Sequence, residues 1–417
     1  MPMRVGFILG KEFDFVDTPG SVVDTSFLDD LPSKYRERSD KPRMTWPGMN
    51  VSNKDNVSVD VAIAWYIHKN YPDIEVDFVL PGDISLERLQ SNLCNFITGY
   101  DILDAMVEGP DQLAKVTQAF KHSGNIMPSW EVQEAIYMKS IYMKEATKAG
   151  VPVAPTIFAG KERSAGALLQ EIKARGWKTF ILKQSYSCGS IGFTKLQVEE
   201  CEQKPEILEE YFETYSECPE FVVQEFVEGF CRNWEVRCFW FNDEFLYAMA
   251  NRAAVSQSEG EKVGIITGDE IPAEFLENAK RIGKEALKSL PQLTTPNGHP
   301  IGMTCVRTDI GCSDSEIYDK DYDWDPKNKT FFLNEIEYGG TTYFARALKF
   351  DCIPLWAELY ASKSREIHEK MSASHKIEKG GYQAKNHVME HPTTDTLDGL
   401  EGTHSGNSEA SSDSDAP

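Results

Sequence analysis

No stretch of the sequence is apolar over the ~18 or more residues that a bilayer-crossing helix needs. The start of the chain lacks the pattern of a secretory signal; it enters Val5-Gly6-Phe7-Ile8-Leu9 directly, which predicts a buried first strand. No CxxC pair occurs among nine scattered cysteines, an odd number, so reduced thiols in a cytoplasmic protein are expected rather than a disulfide framework or a zinc site. Positive charge is also scarce. With 43 Lys and Arg against 66 Asp and Glu, the formal net charge is −23. That excludes general binding to nucleic acid or anionic membranes, which requires clustered cations, although local basic pockets for a nucleotide remain compatible with it. The eight histidines form no ligand pair and no base beside a nucleophile. The first strand is not followed by GxGxxG, so a dinucleotide fingerprint is missing, and there is no internal repeat.

What is present is enough chain, 417 residues, for two or three packed domains. Residues 1–124 alternate apolar strands (Val5–Leu9, Ile74–Leu80, Phe96-Ile97) with helical runs (Val57–Asn70, Ile84–Asn92), which predicts an open α/β domain with a parallel sheet. Phe13–Asn56 is long for a connection and is a candidate substrate loop. From Pro128 to Lys148 the periodicity predicts one helix, stopped at Gly150. A helix is expected over Ala165–Arg175, a strand over Thr179–Lys183, and an amphipathic helix over Pro272–Leu290 with Phe275, Ala279, Ile282 and Ala286 on one face. From about His391 the chain is polar, with six acidic residues and no Lys or Arg. Such a segment cannot offset an ordering cost of about 1–2 kcal/mol per residue, so a disordered acidic tail is expected, open to a protein partner.

The run Phe180-Ile181-Leu182-Lys183 ends a strand in a lysine, and Gly189-Ser190-Ile191-Gly192 follows in a loop of small residues. Glycines let backbone N–H groups approach an anion, and the lysine adds charge beside it. An ordinary glycine-containing hairpin has the same residues. The neighbours sharpen the reading. Lys139 precedes Gly150-Val151-Pro152-Val153; past the loop come Val223-Gln224-Glu225-Phe226-Val227-Glu228-Gly229 and then Glu235-Val236-Arg237. Further on, Arg307-Thr308-Asp309 and Asn334-Glu335-Ile336-Glu337 lie in two apolar runs that predict adjacent antiparallel strands. Residues two apart share a strand face, so Glu335 and Glu337 are expected together, with Asn334 and Ile336 opposite. If Asp309 faces them, three carboxylates converge, which suits a hard divalent cation. A solvated hairpin and an Arg307–Asp309 ion pair are the bland alternatives.

In this order the motifs resemble the ATP-grasp superfamily, over roughly residues 139–344. The resemblance implies an ATP-grasp fold preceded by an open α/β domain, with residues 125–220 as a small subdomain carrying the lid, 221–375 as the subdomain with the metal site, and 376–417 as the tail. It further implies ATP with Mg²⁺ (or Mn²⁺). Lys139 and Lys183 would contact phosphates, and Gly189, Ser190, Ile191 and Gly192 would form the lid. Gln224, Glu225 and Val227 would meet adenine through the backbone, and Glu235 would accept from the ribose. Asp309, Glu335 and Glu337 would hold the metal; Arg307 would stabilise developing negative charge, and Arg252 would assist at the transferred phosphate. Glu337 stands where the family usually has asparagine. The implied reaction joins a small carboxylate to an amine through an acyl phosphate, as in D-alanine–D-alanine ligase and glutamate-adding ligases. A kinase on the same fold and a non-catalytic ATP-binding regulator are the other readings.

Overall fold

The computed structural model describes residues 2–10, 14–17, 20–36, 56–160, 162–186, 192–227, 229–230, 233–252, 265–313, 330–338 and 343–383. Residues 384–417 of the expected tail, and Gly189, Ser190 and Ile191, lie outside them, whereas residues 376–383 of that tail are helical, continuing the helix Ile353–Gln383. The chain divides into two compact units, Met1–Ser372 and Ala373–Pro417. The three sheets all belong to the first.

The first sheet is parallel throughout. Its elements run β1 (Met3–Ile8), α1 (Ser33–Arg36), α2 (Val59–Asn70), β2 (Ile74–Val79), α3 (Leu86–Gln90), β3 (Cys94–Ile97), α4 (Ile102–Glu108), α5 (Pro110–Ser123) and β4 (Ile126–Met127), in strand order β2-β1-β3-β4. In β1, Val5, Phe7 and Ile8 are fully buried, so residues on both faces of the strand are shielded from solvent. Where described, the expected loop Phe13–Asn56 carries a 3₁₀ turn at Ser26–Leu28 and α1. The sheet extends past residue 124 to include β4.

The periodicity predicts one helix over Pro128–Lys148, but the structure has two, α6 (Trp130–Tyr137) and α7 (Lys139–Lys148). At Met138 the backbone turns extended (φ −80°, ψ 82°) and forms a bridge with Tyr186. The freed N–H groups find new acceptors: Lys139 N–H donates to Ser185 C=O at 2.9 Å and Ser140 N–H to Ser185 Oγ at 3.2 Å. A tertiary contact thus breaks a helix that local pattern favours, and Lys139 becomes its first residue.

A second sheet is antiparallel and small. It comprises β5 (Thr156–Gly160), α8 (Ala165–Ala174), β6 (Thr179–Gln184), β7 (Thr194–Gln197), α9 (Val198–Gln203), α10 (Glu206–Thr214) and β8 (Glu220–Glu225), ordered β5-β8-β6-β7 around its own core. Strand β8 crosses the expected boundary at 220–221, because it hydrogen-bonds to both β5 and β6.

The third sheet follows, with β9 (Trp234–Phe241), β10 (Glu244–Arg252), β11 (Ile265–Thr267), α11 (Ala273–Leu287), β12 (Val306–Cys312), β13 (Phe331–Tyr338) and α12 (Ile353–Gln383), in order β11-β10-β9-β12-β13. Helix α11 buries Phe275, Ala279, Ile282, Gly283, Ala286 and Leu287, the face expected from the sequence. It packs against β9, β12 and β13. Gly283 permits that approach: a Cβ there would stand 2.5 Å from Thr308 Oγ1 and 2.7 Å from Trp240 Cζ2. Those two side chains are themselves joined, Trp240 Nε1 donating to Thr308 at 2.9 Å. On α12, Tyr360 meets Phe96 of the first sheet at 4.9 Å and Phe241 of the third at 5.3 Å between ring centroids, so this helix joins the two sheets in one continuous core. No helix among the described residues is long and apolar enough to cross a membrane. The cysteines of the described residues (94, 201, 218, 238, 305, 312 and 352) are buried and form no disulfide among themselves.

Candidate active site

On β12, Thr308 points to α11, so Arg307 and Asp309 point to the other face of the sheet. The register sets what they meet. Arg237, Asp309 and Glu335 stand opposite one another across β9, β12 and β13, and the next row is Phe239, Arg307 and Glu337. The expected grouping of Asp309 with Glu335 and Glu337 on one face is what this register produces. Asn334 departs from expectation. The pairing shifts between Asp309↔Glu335 and Ile310↔Leu333, leaving Asn334 as the extra residue of a β-bulge. A bulge re-aims the side chain it carries. Asn334 therefore does not face away from the site: its Nδ2 donates to Glu235 Oε1 at 2.8 Å.

The carboxylates of this face are engaged by cations. Arg307 holds Asp309 with two bonds of 2.8 Å, and its Nη2 lies 3.4 Å from Glu337. Lys139, from the first turn of α7, donates to Glu335. Arg237 donates to Glu235 Oε2 at 2.9 and 3.2 Å. Asp309 and Glu235 are buried, while Glu335 and Glu337 keep 27% and 31% of their side-chain surface exposed, so the face opens toward β13. Among the described residues, no group of three or more His, Cys, Asp or Glu side chains is arranged to hold a metal ion, each carboxylate being turned to its cationic neighbour.

The electrostatics follow from that arrangement. Burial would raise the Glu335 carboxyl, but Lys139 and Lys183 outweigh it and hold it well below the usual range. Burial also raises Glu337; Arg307 opposes this and Glu335 and Asp309 reinforce it, so that it is pushed up to about 7. Burial raises Glu235 against the pull of Arg237. Lys183, half-buried on β6, has its ammonium pushed down by burial, and no carboxylate of the described residues lies within ion-pair distance of it. Buried ion pairs cost several kcal/mol per ion in desolvation, so a network of this kind orients groups rather than stabilising the fold.

On the second sheet, the Gln224 backbone sits between β5 and β6, and its buried side chain donates to Thr156 Oγ1 at 3.1 Å. Glu225 N–H donates to Pro155 C=O at 2.9 Å, and Val227 C=O accepts from Phe230 N–H at 3.1 Å. Gly192 has φ +71°, which a side chain would strain, and its carbonyl accepts from Tyr211 Oη at 2.6 Å. Arg252 ends β10 opposite Trp234; its side chain lies outside the described residues. Sequence reasoning gave no role to Arg237 or Ser185. The period-two spacing from Glu235 already put Arg237 on the site face; nothing local marked Ser185.

No protein-family model and no curated protein matches the chain. Its fold does match solved structures. It is similar to the D-cycloserine synthetase DcsG, with 12% identity, 87% of this chain and 99% of that chain covered, and a TM-score of 0.54. It is similar to D-alanyl-alanine synthetase A from Vibrio cholerae O1 biovar eltor str. N16961, with 10% identity, 88% and 98% covered, and a TM-score of 0.51. It is also similar to the VanG D-Ala:D-Ser ligase from Enterococcus faecalis, with 12% identity, 87% and 100% covered, and a TM-score of 0.51. At these identities the likeness establishes the fold, which is the ATP-grasp fold.

Proposed function

We propose that this ATP-grasp chain is an ADP-forming ligase joining a small carboxylate, such as that of an amino acid, to an amine. The observation that carries the reading is one sheet face on which Asp309, Glu335 and Glu337 stand beside Lys139 and Arg307, with Lys183 close enough to help hold the Glu335 carboxyl down. A half-buried ammonium with no carboxylate of the described residues in ion-pair distance suits phosphate oxygens, which lysine binds as a point charge. Three carboxylates on one face, two of them part-exposed, offer the oxygen donors that Mg²⁺ or Mn²⁺ takes. Asp309, Glu335 and Glu337 would hold that ion, and its chemistry there is to neutralise phosphate charge.

The remaining roles belong to the chain. Lys139 and Lys183 orient the β- and γ-phosphates, and the backbone at Gln224, Glu225 and Val227 borders adenine. Glu235 accepts from the ribose, and the loop Gly189–Gly192 covers the phosphates. A substrate carboxylate oxygen attacks the γ-phosphorus in line, the bond to the β-phosphate oxygen breaks, and ADP leaves. The amine nitrogen then attacks the acyl carbon, phosphate departs with its bonding pair, and the nitrogen loses a proton. Arg307, with Arg252, stabilises the charge that develops on oxygen; donors of this kind contribute ~10²–10³ in rate. In this reading the sheet of residues 1–127 supplies substrate contacts, the lid subdomain ends after Glu225, and the remainder to 375 carries the metal face. The carboxylate and the amine are small molecules, the protein is cytoplasmic, and the tail is free for a protein partner.

Incubation with ATP, Mg²⁺, a small-molecule extract and hydroxylamine tests this. ADP together with a hydroxamate, both lost in Glu335→Gln, is expected. ADP with a stable phosphorylated product and no hydroxamate would make the chain a kinase instead.

A further inference from the structure

The Glu235 carboxylate is held from both sides by residues outside the roles set out above. Arg237 bonds Oε2 through Nε and Nη2, and the bulged Asn334 bonds Oε1. Arg237 also reaches past Glu235: its Nε lies 3.6 Å from Asp309 Oδ2. The third side of the guanidinium faces the Phe344 ring, 5.6 Å from its centroid. Phe344 holds φ +58°, ψ +32°, a left-handed conformation that strains a bulky side chain and is retained only when its surroundings demand it. Arg237 keeps 12% of its side-chain surface, Glu235 4% and Asp309 2%. A planar fork clamped on three sides is a fixed part.

The geometry points to Arg237 and Asn334 as positioning residues: together they aim Glu235 at the ribose hydroxyls, and Arg237 alone ties that end of the site to Asp309 at the metal end. This rests on the proposed roles of Glu235 and Asp309. It follows that hydroxyl recognition depends on both residues, since a carboxylate freed on one oxygen can rotate away from the ribose. It follows too that the charge of Arg237 competes with a cation for Asp309, whereas the neutral Asn334 does not reach that far.

The test compares wild type, Arg237→Met, Arg237→Lys and Asn334→Ala by calorimetric titration with ATP and with 2′,3′-dideoxy-ATP, and by electron paramagnetic resonance titration with Mn²⁺ alone. Wild type should prefer ATP by about tenfold or more, the worth of hydrogen bonds to a charged group. That ratio should fall toward one in all three variants, Lys included, because an ammonium cannot reproduce the two-pronged contact. Arg237→Met should bind Mn²⁺ about threefold tighter or more, while Arg237→Lys and Asn334→Ala stay near wild type. General damage to the sheet would weaken both nucleotides equally and weaken Mn²⁺, and either result overturns the inference. An unchanged ratio in Asn334→Ala, which removes no charge from the face, overturns it as well. Wild type that binds ATP without favouring it over the dideoxy compound refutes the inference alone; wild type that binds no ATP refutes the proposed function with it.

Discussion

Gly283 and Gly166 pose the same substitution in two different surroundings. Both lie in helices, α11 and α8, and at both Ala should gain up to about 1 kcal/mol in helix propensity over Gly. At Gly166 a new Cβ meets nothing within 4 Å, so the gain stands, reduced somewhat near the helix start. At Gly283 the Cβ enters between Thr308 Oγ1 at 2.5 Å and Trp240 Cζ2 at 2.7 Å. Neither neighbour is the free end of a flexible chain. Thr308 is fully buried and Trp240 nearly so, and the two are hydrogen-bonded to each other. Overpacking of this kind costs about 1–3 kcal/mol, which exceeds the propensity gain. Gly283→Ala should therefore destabilise by about 1 kcal/mol net, and Gly166→Ala should stabilise by about 0.5 kcal/mol. In a unit of this size that is about 2 °C or less per kcal/mol, with opposite signs, measurable by calorimetry on the two variants side by side. Thr308 lies between Arg307 and Asp309, so the displaced strand should also lower turnover of the proposed ligation in Gly283→Ala and leave it unchanged in Gly166→Ala. A Gly283→Ala melting temperature at or above wild type would refute the packing argument, since propensity would then have won.

Lys183→Met should move stability and function in opposite directions. It removes a half-buried cation that burial disfavours, so the melting temperature without nucleotide should rise, while the dissociation constant for ATP rises about tenfold or more; a fall in both stability and affinity would speak for a structural lysine. Asp77 offers a pH test. Burial would raise its carboxyl, but the Arg88 bonds of 2.7 and 3.2 Å and the Asn92 bond of 3.1 Å outweigh it and hold it low. A folded-state value below the unfolded one of ~3.9 means stability that is complete above that pH and lost as pH falls through the folded value. Asp77→Asn should therefore melt well below wild type at pH 7, with the gap closing below about pH 4; a gap that stays constant with pH would show that the pair contributes nothing through its charge.

The sequence by itself determined whatever depends on short-range periodicity. The buried run at β1, the stripe on α11, the stop at Gly150 (φ +79°) and the shared face of Glu335 and Glu337 all follow from spacings of 2 or 3.6 residues within a single element. The alternation of strands and helices before residue 124 likewise carried the parallel sheet. Tertiary structure decided what depends on contacts between distant segments. Ser185 breaks the helix at Met138, because an acceptor 46 residues away competes with the one four residues back. The bulge at Asn334 is a matter of register with β12, which one strand's composition does not encode, and it reverses where that side chain points. Pairing across β9, β12 and β13 then decides that Arg237 meets Asp309 and Glu235, and that Glu335 meets Lys139 from another sheet's border. Charge strength behaves the same way: residue types name which groups can ionise, but burial and neighbours brought together by folding push Glu335 and Glu337, two residues apart, in opposite directions.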